Sequence, residues 1–75
     1  MHVVTYHERG TKSTYPVNTK VELTPYGNIL VTREATDPIA ALVGPNTSLL
    51  SPEAASQLIG ALNEALSHST TEGDV

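Results

Sequence analysis

The chain has 75 residues, no cysteine and a net charge of −4, so it forms one small domain without disulfides or a cysteine-ligated zinc site. Its hydrophobic content is 39% and its only aromatic side chains are three tyrosines, so valine, leucine, isoleucine and alanine must build the core. A domain of this size buries only about 60% of its unfolded surface. Oligomerisation is the remaining source of additional stability, and a monomer that folds without a partner is the alternative.

Two strands are predicted at the start of the chain. Residues 2–7 are rich in β-branched and aromatic types, and residues 15–23 alternate between apolar and polar. A two-residue turn at residues 9–10 would place Tyr6 opposite Ser13, whereas a longer loop would change this register. With the short turn, the two strands would contribute to the inner face Val4, Tyr6, Tyr15 and Val17.

The second hairpin is predicted more sharply. Pro25 suits the second position of a type I turn, and Gly27 suits the left-handed position of the bulge that follows. Residues 28–34 then form the third strand, and Thr24 faces Asn28. This register puts two apolar pairs on one face, and they are Leu23 with Ile29 and Val21 with Val31. We expect Arg33 at the sheet edge of this inner face, with its guanidinium reaching water.

Residues 35–48 are predicted to be an irregular connector. Its Asp-Pro and Gly-Pro pairs, at residues 37–38 and 44–45, interrupt regular structure. Between them, the apolar run at residues 39–43 fits either a helical turn or a fourth strand. We expect this run to close one end of the core.

The last element is an amphipathic helix that begins after Ser51. Serine is a favoured N-cap, Pro52 fits the first helical position, and Glu53 complements the helix dipole. The helical spacing of the apolar positions predicts one stripe, formed by Ala55, Leu58, Ile59, Leu62 and Leu66. Residues 68–75 are polar and are predicted to be a flexible tail, which leaves residues 1–67 as the compact domain.

Together these elements predict an α+β fold of β-β-β-α order. A three-stranded antiparallel meander carries the C-terminal helix on its inner face. One helix covers only part of that face, and the outer strands leave unpaired edges. A homodimer would remedy both deficits, and we therefore expect the chain to self-associate.

No catalytic, cofactor-binding or metal-binding residue is predicted. His2 and His7 fall on opposite faces of a strand, and His68 lies near the helix end, so no two share a metal-ligand spacing. The carboxylates are scattered, and no pair is placed to share a proton. We expect a protein that is not an enzyme and needs no cofactor.

A protein-interaction module is the class that remains. Leu30, with Val3 or Thr5, is expected on the outer face of the sheet, where an apolar spot can receive a protein partner of unknown identity. The alternative is a nucleic-acid-binding accessory domain, and the other predicted outer-face residues argue against it. They are Asn18, Lys20, Glu22, Thr32 and Glu34, with one lysine against two glutamates.

The N-terminus has no basic segment followed by an apolar run, so no signal peptide is predicted. No stretch approaches the ~18 consecutive apolar residues of a membrane span. We therefore expect a cytoplasmic protein that does not enter membranes.

The start of the helix resembles a known pattern. Leu50, Ser51, Pro52, Glu53 and Ala55 match the closing helix of small uncharacterised actinobacterial and actinobacteriophage proteins, which follows a short β-rich N-terminus. Ala54 stands where many of these proteins carry a second acidic residue. The resemblance implies no activity; by analogy, it implies a phage accessory protein that binds a host protein.

Overall fold

The computed structural model describes residues 2–73, with side chains as far as Ser69. The fold class is α+β, as predicted, but the antiparallel sheet has four strands in the order β1-β2-β3-β4 instead of three. The elements are β1 (Val3–Glu8), β2 (Val17–Leu23), β3 (Ile29–Ala35), a short 3₁₀ helix (Ala40–Val43), β4 (Asn46–Leu50) and α1 (Pro52–Gly73).

The β2–β3 hairpin has the predicted register. Leu23 pairs with Ile29 and Val21 pairs with Val31. The turn is closed by the Gly27 amide, which donates to the Thr24 carbonyl at 3.0 Å. Gly27 has a φ of 84°, the left-handed conformation that glycine adopts without a steric cost. Local turn chemistry and the apolar pattern agree here, which is why the sequence predicts this hairpin correctly.

The first hairpin has a different register from the short-turn prediction. Tyr6 pairs with Thr19 rather than with Ser13, because the connection runs from residue 9 to residue 16. Within this loop the Thr14 amide donates to the Thr11 hydroxyl oxygen at 3.1 Å, and the hydroxyls of Thr11 and Thr14 are hydrogen-bonded at 2.8 Å, so threonine side chains organise the turn. Tyr15 lies in the loop and does not join the inner face, since pairing begins only after Pro16, which has no amide proton.

The connector contains the unpredicted strand. β4 pairs antiparallel with β3, with Leu50 opposite Ile29 and Leu49 opposite Leu30. The apolar run at residues 39–43 is mostly the short 3₁₀ helix, not the fourth strand. It does not close a core, because Ile39, Leu42 and Val43 are exposed.

Helix α1 begins as predicted. The Ser51 side-chain oxygen accepts from the Ala54 amide at 3.0 Å, and the Ser51 carbonyl accepts from the Ala55 amide at 2.9 Å. The helix continues to Gly73, into the residues predicted to be a flexible tail at 68–75. Residues 74–75 lie outside the described part of the chain, and the mobility of the tail stays a prediction.

The predicted packing of the helix on its own sheet is wrong. Helix α1 contacts chiefly β4, the strand that it follows, and every side chain from Ser56 to Ser69 is exposed. Among the described residues no apolar side chain is fully buried, and only Thr19 is, at 2% exposure. Within the described residues, the sheet and the helix are therefore two amphipathic elements that share no fully buried apolar side chain.

Candidate interaction surface

One face of the sheet, called the inner face here, carries most of the apolar side chains. Strand alternation and the observed pairing place them together in the half of the sheet nearest the start of α1. We call this half the inner apolar patch, and it consists of Val4, Val21, Leu23, Ile29, Val31 and Leu50. Its edge members remain open to solvent, with Val4 exposed by 46% and Leu23 by 45%.

The helix presents a second apolar surface. Leu58, Ile59 and Leu62 are exposed by 44%, 61% and 54%. Leu66, the last member of the predicted stripe, is exposed by 61%. Polar residues cover the opposite side of the helix, so this amphipathic pattern indicates an element that packs against another surface.

The junction between β4 and α1 keeps these two surfaces apart within one chain. β4 ends at Leu50 and α1 begins at Pro52, so only Ser51 lies between them. Both the side chain and the carbonyl of Ser51 are engaged in the first turn of the helix, and the proline ring restricts φ at the next position. A helix joined in this way has no loop with which to turn back over the inner face.

The size of the molecule shows how much surface is left uncovered. A folded chain of 7.9 kDa is expected to expose about 4,400 Å². This chain exposes 6089 Å², about 1,700 Å² more than that scaling predicts. Its radius of gyration is 14.4 Å, against about 11 Å for a compact domain of this length. Even half of the excess would equal the roughly 800 Å² that each partner contributes to a standard interface.

Beside the inner apolar patch lies a small polar cluster on β1, β2 and β3. The Thr19 hydroxyl donates to one carboxylate oxygen of Glu8, and an Arg33 nitrogen lies 2.7 Å from the other. The Thr19 hydrogen bond, together with Arg33, lowers the pKa of Glu8 below its ordinary value of 4.5. Arg33 keeps half of its side-chain surface exposed, as predicted, but it does not lie at the sheet edge, because β4 pairs with β3 on that side. The sequence reveals no sign of Glu8 in this cluster, because its place depends on the register of the first hairpin.

The outer face of the sheet is mostly polar. His7 and Asn18 are hydrogen-bonded at 2.8 Å, and Lys20 lies 3.7 Å from Glu22. The predicted apolar spot is present in altered form, since Leu30 is part-buried and its neighbour Leu49, from the unpredicted strand, is 62% exposed. Val3 and Thr5 also lie on this face by strand alternation.

Among residues 2–69, whose side chains the structure describes, no three histidine, aspartate or glutamate side chains come together in a way that could hold a metal ion. His2 immediately precedes β1, and His7 lies within it, hydrogen-bonded to Asn18. In the described part of the chain no helix combines the length and hydrophobicity needed to cross a bilayer.

Comparison of the chain with protein families, with curated proteins and with solved structures found no significant match.

Proposed function

We propose that this chain is a non-catalytic protein-interaction module that works as a homodimer. The observation that carries the proposal is the uncovered apolar surface: the sheet and the helix each have an apolar face, and no described apolar side chain is fully buried. Exposed apolar surface of this extent marks an interaction site in a soluble protein. A second copy offers the same two surfaces, as a two-fold symmetric interface requires.

A dimer that covers the inner apolar patch would leave the outer face available to another protein. Leu30 and Leu49 lie side by side there, on β3 and on the edge strand β4. The unpaired edge of β4 adds backbone groups that an extended peptide can pair with. We therefore propose that the outer face contacts a protein partner. Because the start of the helix resembles that of actinobacteriophage proteins, this partner would be a host protein of a phage. A cytoplasmic location is part of the same proposal.

The outer face is less suited to nucleic acid. Phosphate recognition depends on several lysine or arginine contacts, and Lys20 is close to Glu22 on this face. The whole sequence has only four basic side chains, and no described contact favours nucleic-acid binding, so we propose a protein partner for this face instead.

The experiment that tests the homodimer is thermal unfolding at a series of protein concentrations. When folding and association are coupled, mass action raises Tm with concentration. We expect a steady rise in Tm across the series, with a single cooperative transition at each concentration. A Tm that does not depend on concentration would show that the chain folds alone and would refute the proposal.

A further inference from the structure

We infer that the helix of each copy lies on the inner apolar patch of the other copy, so that the dimer is built by mutual exchange of α1. The inference rests on the homodimer proposed above and adds the arrangement of its interface. Three observations lead to it: the junction at Ser51, the two uncovered apolar surfaces, and their matching extent.

The junction between β4 and α1 keeps the helix from folding back over the inner apolar patch of its own chain. Connections between elements are commonly two to six residues long, whereas here the cap residue Ser51 is the whole connection. To turn α1 back over the patch, the chain would have to break the Ser51 cap or unwind the first helical turn. Short connections of this kind favour exchange of an element between copies.

The helix stripe and the inner apolar patch are both covered only if they pack against each other. If two helices paired only through Leu58, Ile59 and Leu62, the inner apolar patch would remain open in both copies. If two sheets paired only through the patch, the helices would remain open. Exchange covers both surfaces in one symmetric contact.

The dimensions of the two surfaces agree. From Ala55 to Leu66 the stripe is about 16 Å long at the helical rise per residue. The four strands span about 14 Å between the outer strand axes. Glu53 and Glu64 lie on the side opposite the stripe, about 180° around the axis, so along the stripe from Ala55 to Leu66 neither of these carboxylates is carried onto the patch. Among the described residues, the ion pair next to the patch joins Glu8 and Arg33 of the same chain, so covering the patch leaves neither charge without its partner.

Disulfide trapping tests the arrangement directly, since the natural chain has no cysteine. Leu62→Cys would be made on the helix, and Val21→Cys on the sheet in a copy that carries a distinguishing tag. The two full-length variants would be mixed, unfolded and refolded together, and oxidised mildly. Ile29→Cys provides a second sheet position, so that one unfavourable cysteine geometry does not decide the outcome. Gln57→Cys, on the polar side of the helix, is the matched control.

We expect the mixed, cross-linked dimer from Leu62→Cys with Val21→Cys or Ile29→Cys to exceed the control by on the order of tenfold, since disulfides form only between closely placed Cβ atoms. Self-linked Leu62→Cys as the main product would indicate helix–helix pairing, which overturns the exchange and leaves the homodimer. A dimer in which neither sheet position exceeds the control overturns the exchange as well. An internal disulfide in a monomeric chain carrying both Leu62→Cys and Val21→Cys would overturn the exchange and the homodimer together.

Discussion

The replacement Leu62→Ala tests the role of the helix stripe most simply. Burying a whole leucine side chain contributes about 1.5–3 kcal/mol, and 54% of Leu62 remains exposed in one chain. Covering this remainder at an interface is thus worth about 1–1.5 kcal/mol per copy, or about 2–3 kcal/mol per dimer. At 1.4 kcal/mol for each factor of ten, the truncation is expected to raise the dimer Kd by roughly 30- to 140-fold.

The assay is sedimentation equilibrium over a dilution series, with helix content followed by circular dichroism. Alanine is the best helix former, so the replacement does not weaken α1 itself. Gln57→Ala is the matched control, because Gln57 is exposed and lies about 140° around the helix from Leu62. Equal Kd values for Leu62→Ala, Gln57→Ala and the natural chain would refute the assignment of the stripe to the interface.

Three further predictions concern the polar cluster and the junction. Thr19→Val removes the main hydrogen bond to the Glu8 carboxylate, so the pKa of Glu8 should rise toward 4.5 in an NMR titration. Because this pKa is lowered in the folded state, Glu8 stabilises the natural protein above pH 4.5, and that contribution is lost as the pH falls through the folded pKa. In urea unfolding, the free energy of unfolding of Thr19→Val should therefore fall less with acidification than that of the natural protein. The same pH dependence in both proteins would contradict the role of the Thr19 hydrogen bond. Ser51→Ala removes the cap and should reduce the free energy of unfolding by about 1 kcal/mol per helix, measured by urea denaturation against Ser56→Ala. Inserting about five glycine and serine residues after Leu50 adds a span of about 12 Å, which lets α1 reach its own sheet. The dimer should then become a monomer, which light scattering would detect. A persistent dimer would contradict the role of the junction.

The features predicted correctly from the sequence are those that local chemistry determines. The turn from Thr24 to Asn28 is specified by its proline and glycine, and the alternation around it then sets the β2–β3 register. The helix start is specified by Ser51 and Pro52 in the same way. Each of these elements depends on contacts between residues close in the chain.

The features that sequence reasoning missed depend on contacts between distant residues. β4 begins with Asn46, Thr47 and Ser48, of which only the β-branched Thr47 favours a strand, and the strand forms by pairing with β3. The loop from residue 9 to residue 16 is longer than the turn that Gly10 suggests, since threonine side chains stabilise it. The prediction that α1 packs on its own sheet is wrong for a different reason. The amphipathic pattern of a helix indicates that it has a partner surface, but not whether that surface belongs to the same chain.

The central claim is that a second copy covers the apolar surfaces of this chain. Size-exclusion chromatography with multi-angle light scattering, run on the natural sequence over a wide range of concentrations, tests it most directly. The account predicts a mass of twice the 7.9 kDa of one chain, falling toward the monomer only at the lowest concentrations. A mass equal to one chain throughout the series would contradict the account.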